Sequence, residues 1–333
     1  MTFRVAIIGA GSMGTTHAAG WQHTDAEIVG IVATDSTRAQ PLADRVGAKV
    51  YPSLDAILPD CDVVDLCVPT PLHRDMTLKA AAAHKHVHCE KPIGRTYQDG
   101  LDMIAACEQA GVRLFISMTT RFFPEYKAVH DRVAAGEIGK PATIRLTRCS
   151  YKPLMTTRNW FSDYVQSGGP LLDLMIHDYD FALWLAGDVE RVYARSVASR
   201  DPNATGDYAQ VLLRFRSGAI GHIEGGWAYP PPLFRRKIEV TGEQGLIEWE
   251  SDGSAPLVAH LKAESNAIAE VGLPLSPLDE DPYTAIIRHF YAALIHDQPF
   301  SVTPEESLAA LEVALAALES ARSGQPVTLP RRS

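Results

Sequence analysis

Residues 5–17 read V-A-I-I-G-A-G-S-M-G-T-T-H and decide how the chain folds. The apolar run 5–8 is typical of a strand buried on both faces. Three glycines follow it with the spacing G-x-G-x-x-G: Gly9, Gly11 and Gly14. The first permits a tight turn, the second lets the backbone approach a pyrophosphate, and the third lets the next helix pack closely on the sheet.

The same stretch predicts a helix over residues 12–21. Its free N–H groups, beginning at Ser12 and Met13, and the positive end of its dipole would face the phosphates of a ligand. A glycine-rich loop by itself is most often only a turn. Here the loop lies between a strand and a helix, and residues 27–33 predict a second strand at the right distance. This context favours a dinucleotide site.

Length and composition set further limits. A chain of 333 residues is long for one core, so we expect two domains. The net charge of −9 argues against nucleic acid or an anionic membrane as a main partner. Residues 1–5 lead directly into the first strand, which predicts no signal peptide or membrane anchor and a cytoplasmic location. The five cysteines lack C-x-x-C pairs and are expected to be reduced thiols.

The end of the second strand is where the adenosine ribose of a dinucleotide lies. Asp35 there would bond the ribose hydroxyls and repel a 2′-phosphate, which favours NAD. Thr34 together with Arg38 would instead accommodate the phosphate of NADP, so NADP is left open. A third interpretation is that Asp35 or Ser36 simply caps the following helix.

The next strand is predicted over residues 62–68, and a stretch from His84 to Pro92 follows a further helix. His84, His86 and His88 alternate, but no partner is spaced in the sequence to complete a ligand set, so no metal is predicted. Lys91 follows a strand of the predicted sheet directly. It is therefore expected at the carboxyl end, where such sheets hold their ligands.

Beyond residue 120 the pattern changes to short strands separated by turns. The predicted strands are 142–149, 192–198, 210–215, 220–227, 235–241 and 245–250. Two hairpin loops, 216–218 and 241–245, imply a largely antiparallel sheet and hence an α+β domain. Helices are predicted near 122–133, 282–295 and 304–322, the last beginning at Thr303, Pro304 and Glu306.

Several motifs together carry a resemblance to a known family. They are Gly9-x-Gly11-x-x-Gly14, the turn from Pro69 through Thr70 to His73, Glu90-Lys91-Pro92, Thr120-Arg121-Phe122, Gly136-Glu137-Ile138-Gly139 and S-G-G-P-L-L-D-L-M-I-H-D-Y-D at 167–180. They resemble the Gfo/Idh/MocA family of NAD(P)-dependent oxidoreductases, which includes glucose–fructose oxidoreductase and inositol dehydrogenase. Two positions depart from the family: Thr70 stands where members often have Asn, and Thr34 where NAD-using members often have Asp.

The resemblance implies a fold and a domain organisation. An N-terminal Rossmann dinucleotide-binding domain (1–120) would precede a C-terminal α+β domain (121–333) with a large, mostly antiparallel open sheet, which binds substrate. Packing of the C-terminal helices back on the first domain is left open. An open sheet cannot leave an apolar face in water, and the family covers it by pairing subunits, so a homodimer or homotetramer is expected.

The resemblance also implies a reaction, the oxidation of a secondary alcohol of a sugar, cyclitol or related polyol by hydride transfer. Asp173 and His177 are four residues apart, which places them on one face of a helix predicted over 171–185. By this interpretation His177 is the base, and Lys91 either stabilises charge on the substrate oxygen or shuttles its proton. Asp173 orients the imidazole and binds a neighbouring hydroxyl.

The site residues that follow form two sets. Cofactor binding is assigned to Gly9, Gly11, Ser12, Met13, Gly14, Thr34, Asp35, Arg38, Pro69, Thr70, His73, Glu90 and Lys91. Substrate binding is assigned to Lys91, Thr120, Arg121, Trp160, Asp173 and His177, with Tyr151, Arg158, Trp227 and Tyr229 as further pocket candidates.

Two alternatives remain at this point. One is a lyase or glycosidase that uses bound NAD transiently, with no net oxidation. The other is a nucleotide-sensing protein without catalysis. Binding alone requires no base, so the combination of Lys91, Asp173 and His177 speaks against a sensor.

Overall fold

A computed structural model describes residues 2–153, 160–197, 207–251 and 281–331. The chain divides into two compact units, Met1–Phe122 with Ser276–Leu308, and Phe123–Leu275 with Ala309–Ser333. Arg158, one of the pocket candidates, lies outside the described residues.

The described residues form thirteen strands and ten α-helices. The strands are β1 (Arg4–Ile8), β2 (Glu27–Val32), β3 (Lys49–Tyr51), β4 (Val63–Leu66), β5 (His86–Cys89), β6 (Leu114–Ile116), β7 (Pro141–Ser150), β8 (Val189–Val197), β9 (Tyr208–Phe215), β10 (Ile220–Gly226), β11 (Phe234–Gly242), β12 (Leu246–Glu250) and β13 (Val327–Thr328). The helices are α1 (Ser12–Trp21), α2 (Ser36–Val46), α3 (Leu54–Ile57), α4 (His73–Ala82), α5 (Tyr97–Ala110), α6 (Pro124–Ala134), α7 (Tyr164–Ser167), α8 (Ile176–Ala186), α9 (Pro282–Ile295) and α10 (Pro304–Ser323).

The first unit is built on a six-stranded parallel sheet in the order β3-β2-β1-β4-β5-β6. The central strands β1 and β4 are buried; their residues are apolar except for Arg4 at the start of β1 and Asp65 in β4. Helix α1 occupies the predicted residues 12–21, and α9 packs on it. The order and the parallel direction confirm the predicted Rossmann fold. The short elements β3 and α3, and the helix α5, were not predicted.

The second unit is built on a seven-stranded sheet in the order β12-β11-β7-β10-β9-β8-β13. Within this second sheet, β7–β10 is the only parallel pair among the described strands. The predicted hairpins appear as the antiparallel pairs β9–β10 and β11–β12. A mostly antiparallel sheet in an α+β domain is therefore confirmed.

The two faces of this sheet differ in polarity. Along β9 the side chains of Ala209, Val211, Leu213 and Phe215 are buried, whereas those that alternate with them are exposed. The buried face contacts α8, and α6 packs on α8. The expectation of an uncovered apolar face was thus wrong: the chain covers that face with its own helices. The opposite face carries mostly polar side chains, among them Arg145, Arg214 and Glu239.

Helix α10 begins as its sequence indicates. The Thr303 hydroxyl accepts the backbone N–H of Glu306, and the Glu306 carboxylate accepts the backbone N–H of Thr303, at 3.1 and 2.9 Å. Pro304 occupies the first turn. Among the described residues, no helix combines the length and the apolar character needed to cross a membrane.

A buried ion pair holds α8 against the sheet. Arg148 of β7 donates from Nε to Asp178 Oδ2 at 2.8 Å, and its Nη2 donates to the hydroxyl of Tyr126 at 3.2 Å. The side chains of Arg148 and Asp178 are 3% and 1% exposed. Burial raises the pKa of Asp178, although Arg148 opposes the shift. The charge on Asp178 therefore depends on Arg148.

Replacing Arg148 should destabilise this unit strongly. Arg148→Leu leaves a buried carboxyl without its cation, which typically costs about 3–5 kcal/mol. The double variant Arg148→Leu/Asp178→Leu should recover much of this loss. Lys127→Ala, which breaks an exposed pair with Asp131, serves as the control and should barely change the midpoint. Urea denaturation measures all three, and a wild-type midpoint for Arg148→Leu would contradict the prediction.

Candidate active site

Two glycines of the first loop are required by close approach. Gly9 has φ +117°, and a Cβ on it would lie 2.1 Å from the carbonyl oxygen of Cys67. A Cβ on Gly14 would lie 1.9 Å from the carbonyl oxygen of Gly9. Both distances are far below van der Waals contact. Gly9 and Gly14 therefore allow β1, α1 and the end of β4 to meet.

Gly11 differs from them because a Cβ there would meet no atom within 4 Å of the described chain. It is the N-cap of α1 and provides no side-chain cap. The first backbone hydrogen bond of the helix joins Thr15 N to Gly11 O at 2.9 Å. Ser12 and Met13, in the first turn, are half-buried. Open space at an uncapped helix N-terminus fits the pyrophosphate of a dinucleotide.

The segment after β2 is exposed and contains Thr34 and Asp35. Asp35 Oδ1 accepts the backbone N–H and the hydroxyl of Thr37, at 2.9 and 2.6 Å. The hydrogen bond from the Thr37 hydroxyl is the main reason that the pKa of Asp35 is lowered. Asp35 therefore caps α2, which begins at Ser36, in agreement with the third interpretation given above. Arg38 lies in the first turn of that helix. Contacts of Thr34, Asp35 and Arg38 with a ribose stay a prediction.

His73 joins the two loops that follow β4 and β5. Its Nε2 lies 2.9 Å from the carbonyl oxygen of Val68, and its Nδ1 lies 2.9 Å from that of Pro92. The ring is fully buried, and burial lowers the pKa of His73. Pro69 and Thr70 lead into α4 through a short 3₁₀ turn. The structure gives His73 a role in positioning these loops, and its contact with a cofactor stays a prediction.

Lys91 follows β5, at the carboxyl edge of the sheet, as predicted, and its side chain is half-buried. The peptide bond between Lys91 and Pro92 is cis. Glu90 Oε2 accepts the backbone N–H of Lys91 at 3.2 Å, and Glu90 Oε1 lies 3.0 Å from His17 Nε2. The Glu90-Lys91 pair is thus tied to α1 through His17.

A buried polar cluster around His17 was not predicted. Asp65 lies between His17 and His88, and the ligand-type atoms of the three all lie within 4.8 Å of one another. His84 precedes β5 and has φ +55°, so of the three alternating histidines only His86 and His88 lie on that strand. A signal was present, because Asp65 interrupts an otherwise apolar buried strand.

Asp173 and His177 lie in the second unit, but not on one continuous helix. Residues Pro170–Leu174 form a π-helical turn, closed by Met175 N donating to Pro170 O at 2.9 Å, and α8 begins at Ile176. The predicted α-helix over 171–185 was therefore wrong in its first turn. Two glycines with positive φ and Pro170 precede Asp173 and start the wider turn. Asp173 is 6% exposed, and His177 is half-buried in the first turn of α8.

The other residues predicted to line the substrate pocket differ in burial and in the side chains that they contact. Thr120 is buried, and Arg121 donates from Nη1 to Glu306 Oε1 at 3.1 Å. Trp160 is half-buried, with its ring centroid 4.2 Å from that of Phe161. Trp227 belongs to a hydrophobic cluster with Tyr164 and Leu174, which is the ordinary packing role of an aromatic side chain.

The fold and the glycine loop define a dinucleotide-binding protein. A family profile described as an oxidoreductase family with an NAD-binding Rossmann fold matches residues 3–118, and one described as the GFO/IDH/MocA C-terminal domain matches residues 126–248. The chain belongs to the Gfo/Idh/MocA family of oxidoreductases, as its motifs indicate, and its first domain is an NAD-binding Rossmann domain.

Three similar proteins cover nearly the whole chain. Myo-inositol 2-dehydrogenase of Thermotoga maritima is 29% identical over 98% of each chain. 1,5-Anhydro-D-fructose reductase of Ensifer adhaerens is 30% identical over 91% of each chain. GenD2 from gentamicin A biosynthesis, crystallised with NAD, has a TM-score of 0.88 and 26% identity, covering 99% of this chain and 97% of its own.

The glycines provide a matched pair of variants. Gly11→Ala places a methyl group in the open space and should leave thermal unfolding unchanged while weakening NAD binding roughly tenfold or more, about 1.4 kcal/mol. Gly14→Ala forces a backbone clash and should destabilise the protein by about 1–3 kcal/mol or more. Calorimetric NAD titration and thermal denaturation measure the two effects. Unchanged NAD affinity in Gly11→Ala would show that the pyrophosphate lies elsewhere.

Proposed function

We propose that this oxidoreductase removes hydride from a secondary alcohol of a cyclitol or sugar and that Lys91, Asp173 and His177 act on that alcohol. The observation that carries the proposal is the occurrence of both catalytic motifs in one chain of this family. Glu90-Lys91-Pro92 follows β5, and Asp173 and His177 flank the start of α8. The names of the similar proteins, an inositol dehydrogenase and an anhydrofructose reductase, support a polyhydroxylated substrate.

Bound NAD supplies the hydride acceptor. Oxidation of an alcohol also releases the hydroxyl proton, which a neutral imidazole can accept. We assign this step to His177. The buried pair of Arg148 and Asp178 supports the assignment, because it holds α8 at the residue next to His177 and so limits the movement of the base.

Negative charge develops on the substrate oxygen as its proton leaves. A lysine ammonium group stabilises such charge most strongly where water is excluded, and we assign this role to Lys91. Asp173 is nearly buried, and its carboxylate is suited to accept a hydrogen bond from a neighbouring hydroxyl of the substrate. We keep Thr120, Arg121 and Trp160 as further substrate residues.

Cofactor binding is assigned to the loops at the carboxyl edge of the parallel sheet. Gly11, Ser12 and Met13 offer backbone groups to the pyrophosphate, and the loop after β2 faces the ribose. The other members of this proposed set are Gly9, Gly14, Thr34, Asp35, Arg38, Pro69, Thr70, His73, Glu90 and Lys91.

Substitutions should separate the chemical step from NAD binding. His177→Ala should lower kcat roughly 10²–10⁴-fold, as loss of a general base does, and Lys91→Ala should lower it at least as much. Asp173→Asn should affect KM for the polyol more than kcat. Steady-state kinetics with inositols and sugars, following reduced nicotinamide, and separate NAD titrations measure these effects.

Lys79→Ala and His296→Ala change exposed residues of the same types and serve as controls with wild-type turnover. Near-normal kcat in His177→Ala would place the base elsewhere, with Lys91 or Tyr283 as the next candidates. Conversion of a polyol without net formation of reduced nicotinamide would favour the lyase or glycosidase alternative.

We also propose that the protein is a homodimer or homotetramer that pairs through the open face of the second sheet. That face is mainly polar, but Leu212 and Ile220 on it are 47% and 49% exposed. The two are diagonal neighbours on the paired strands β9 and β10, and apolar side chains grouped on an exposed face mark interaction surfaces.

Light scattering at micromolar concentration should therefore give at least twice the monomer mass. Leu212→Glu/Ile220→Glu should lower that mass by introducing charge where the interface is dehydrated. Leu101→Glu, at a residue exposed on the first unit, should not. A monomeric wild-type protein would rule out the assembly.

A further inference from the structure

Ionisable side chains form a buried cluster next to the loop that carries Lys91. Its members are His17 of α1, Asp65 of β4, His88 of β5 and Glu90, and we call it the His17 cluster. His17, Asp65 and His88 are 0% exposed and Glu90 is 7% exposed. Burying these groups is unfavourable unless they are paired, so the hydrogen bonds define their charge states.

Asp65 accepts three N–H donors. Trp21 Nε1 donates to Oδ2 at 2.7 Å, and the Nδ1 atoms of His17 and His88 donate to Oδ1 at 2.9 and 3.1 Å. A carboxylate only accepts, so each of these nitrogens carries its proton. His88 Nε2 lies 2.9 Å from the hydroxyl oxygen of Ser117, which can either donate or accept. His88 therefore meets one carboxylate only.

His17 is different because its second nitrogen also faces a carboxylate. Nδ1 donates to Asp65, and Nε2 lies 3.0 Å from Glu90 Oε1. A neutral imidazole has only one N–H, so it cannot donate to both acids. An imidazolium donates to both, and each carboxylate then remains ionised. The geometry thus indicates a positive ring between two negative groups.

The electrostatic balance agrees with this charge state. Burial is the largest single influence on the pKa of His17 and lowers it, but the charge and hydrogen bond of Asp65, together with the neighbouring Cys67, raise that pKa well above its usual value. Burial alone would raise the pKa of Glu90, but the hydrogen bond with His17 lowers it. Cys67 Sγ lies 3.2 Å from His17 Nδ1. Burial, with the Asp65 charge, raises the pKa of Cys67 to about 12, so the thiol stays neutral.

Glu90 connects this cation to Lys91. One carboxylate oxygen meets His17, and the other accepts the backbone N–H of Lys91 at 3.2 Å. We propose that His17 is a positioning residue for Lys91: as a buried imidazolium it fixes Glu90, which fixes the backbone that carries the lysine. The role given to Lys91 rests on the proposed function, whereas the charge of His17 does not.

The cluster has a definite dependence on pH. Asp65, Glu90, Cys67 and His88 are the titratable groups that face His17. Because the folded pKa of His17 is raised, its contribution to stability is complete below about pH 6.5, the ordinary histidine pKa, and is lost as the pH rises through the folded value. The pKa values of Asp65 and Glu90 are lowered, so their contributions are lost only in acid.

The charge state can be measured without any activity. In ¹⁵N-histidine NMR of the protein without NAD, His17 should carry protons on both ring nitrogens at pH 8. Glu90→Gln removes one negative partner and should lower the pH at which His17 loses its second proton. A neutral His17 at pH 8, or an unchanged titration in Glu90→Gln, would overturn the proposal.

Kinetics then test the positioning role. His17→Gln should lower kcat roughly 10- to 100-fold, because a misplaced lysine loses alignment with the substrate oxygen, and should leave the Kd for NAD close to the wild-type value. His88→Gln makes the same change in the ring stacked 5.0 Å away, whose hydrogen bonds go to Asp65 and Ser117. It should lower the melting temperature comparably and retain most of kcat.

Equal losses of kcat in the two variants, or none in His17→Gln, would overturn the positioning role. Stoichiometric zinc in the purified protein, held by His17, Asp65 and His88, would also overturn it. Wild-type turnover in Lys91→Ala would instead contradict the proposed function. The charge of His17 measured by NMR would remain valid in that case, because it does not depend on activity.

Discussion

The close approach of three backbone segments at the carboxyl edge of the parallel sheet is the constraint on which the first unit depends. Gly14 lies against the carbonyl of Gly9, and Gly9 against the carbonyl of Cys67, at distances that admit no side chain. This contact fixes where α1 begins and how it lies on β1 and β4. The uncapped N-terminus of α1 is thereby presented to a pyrophosphate, and one turn later His17 is carried in to meet Asp65. Cofactor site and buried cluster follow from the same packing.

Much of the fold could be predicted from the sequence because the patterns that indicate its strands and helices are local. The apolar run of β1, the glycine spacing and the helix 12–21 lie within a few residues of one another, and hydrophobic periodicity is a local property. The alternation along β9, with Val211 and Leu213 buried, likewise predicts a sheet with one buried face. The Thr303–Glu306 capping box marks the start of α10 for the same reason.

The rest depended on contacts that no local pattern contains. His17 meets Asp65 across 48 residues and Glu90 across 73, so the sequence shows the three only as separate polar residues. Asp173 and His177 are four residues apart in sequence, which would place them on one face of a regular α-helix. The π-helical turn before α8 removes this relation, because its hydrogen bond spans five residues rather than four. The buried face of the second sheet is covered by α8 of the same chain, with α6 packed on α8, whereas the strands alone suggested that a second subunit was required.

Glu90 connects the buried His17 cluster to Lys91, the residue proposed to stabilise the substrate oxygen.

The proposed hydride transfer is tested most directly with a polyol deuterated at the reacting carbon, incubated with the protein and NAD. Mass spectrometry should find singly deuterated reduced nicotinamide and a ketone product without that label. Deuterium retained in the product, with no reduced nicotinamide released, would contradict oxidation as the net reaction.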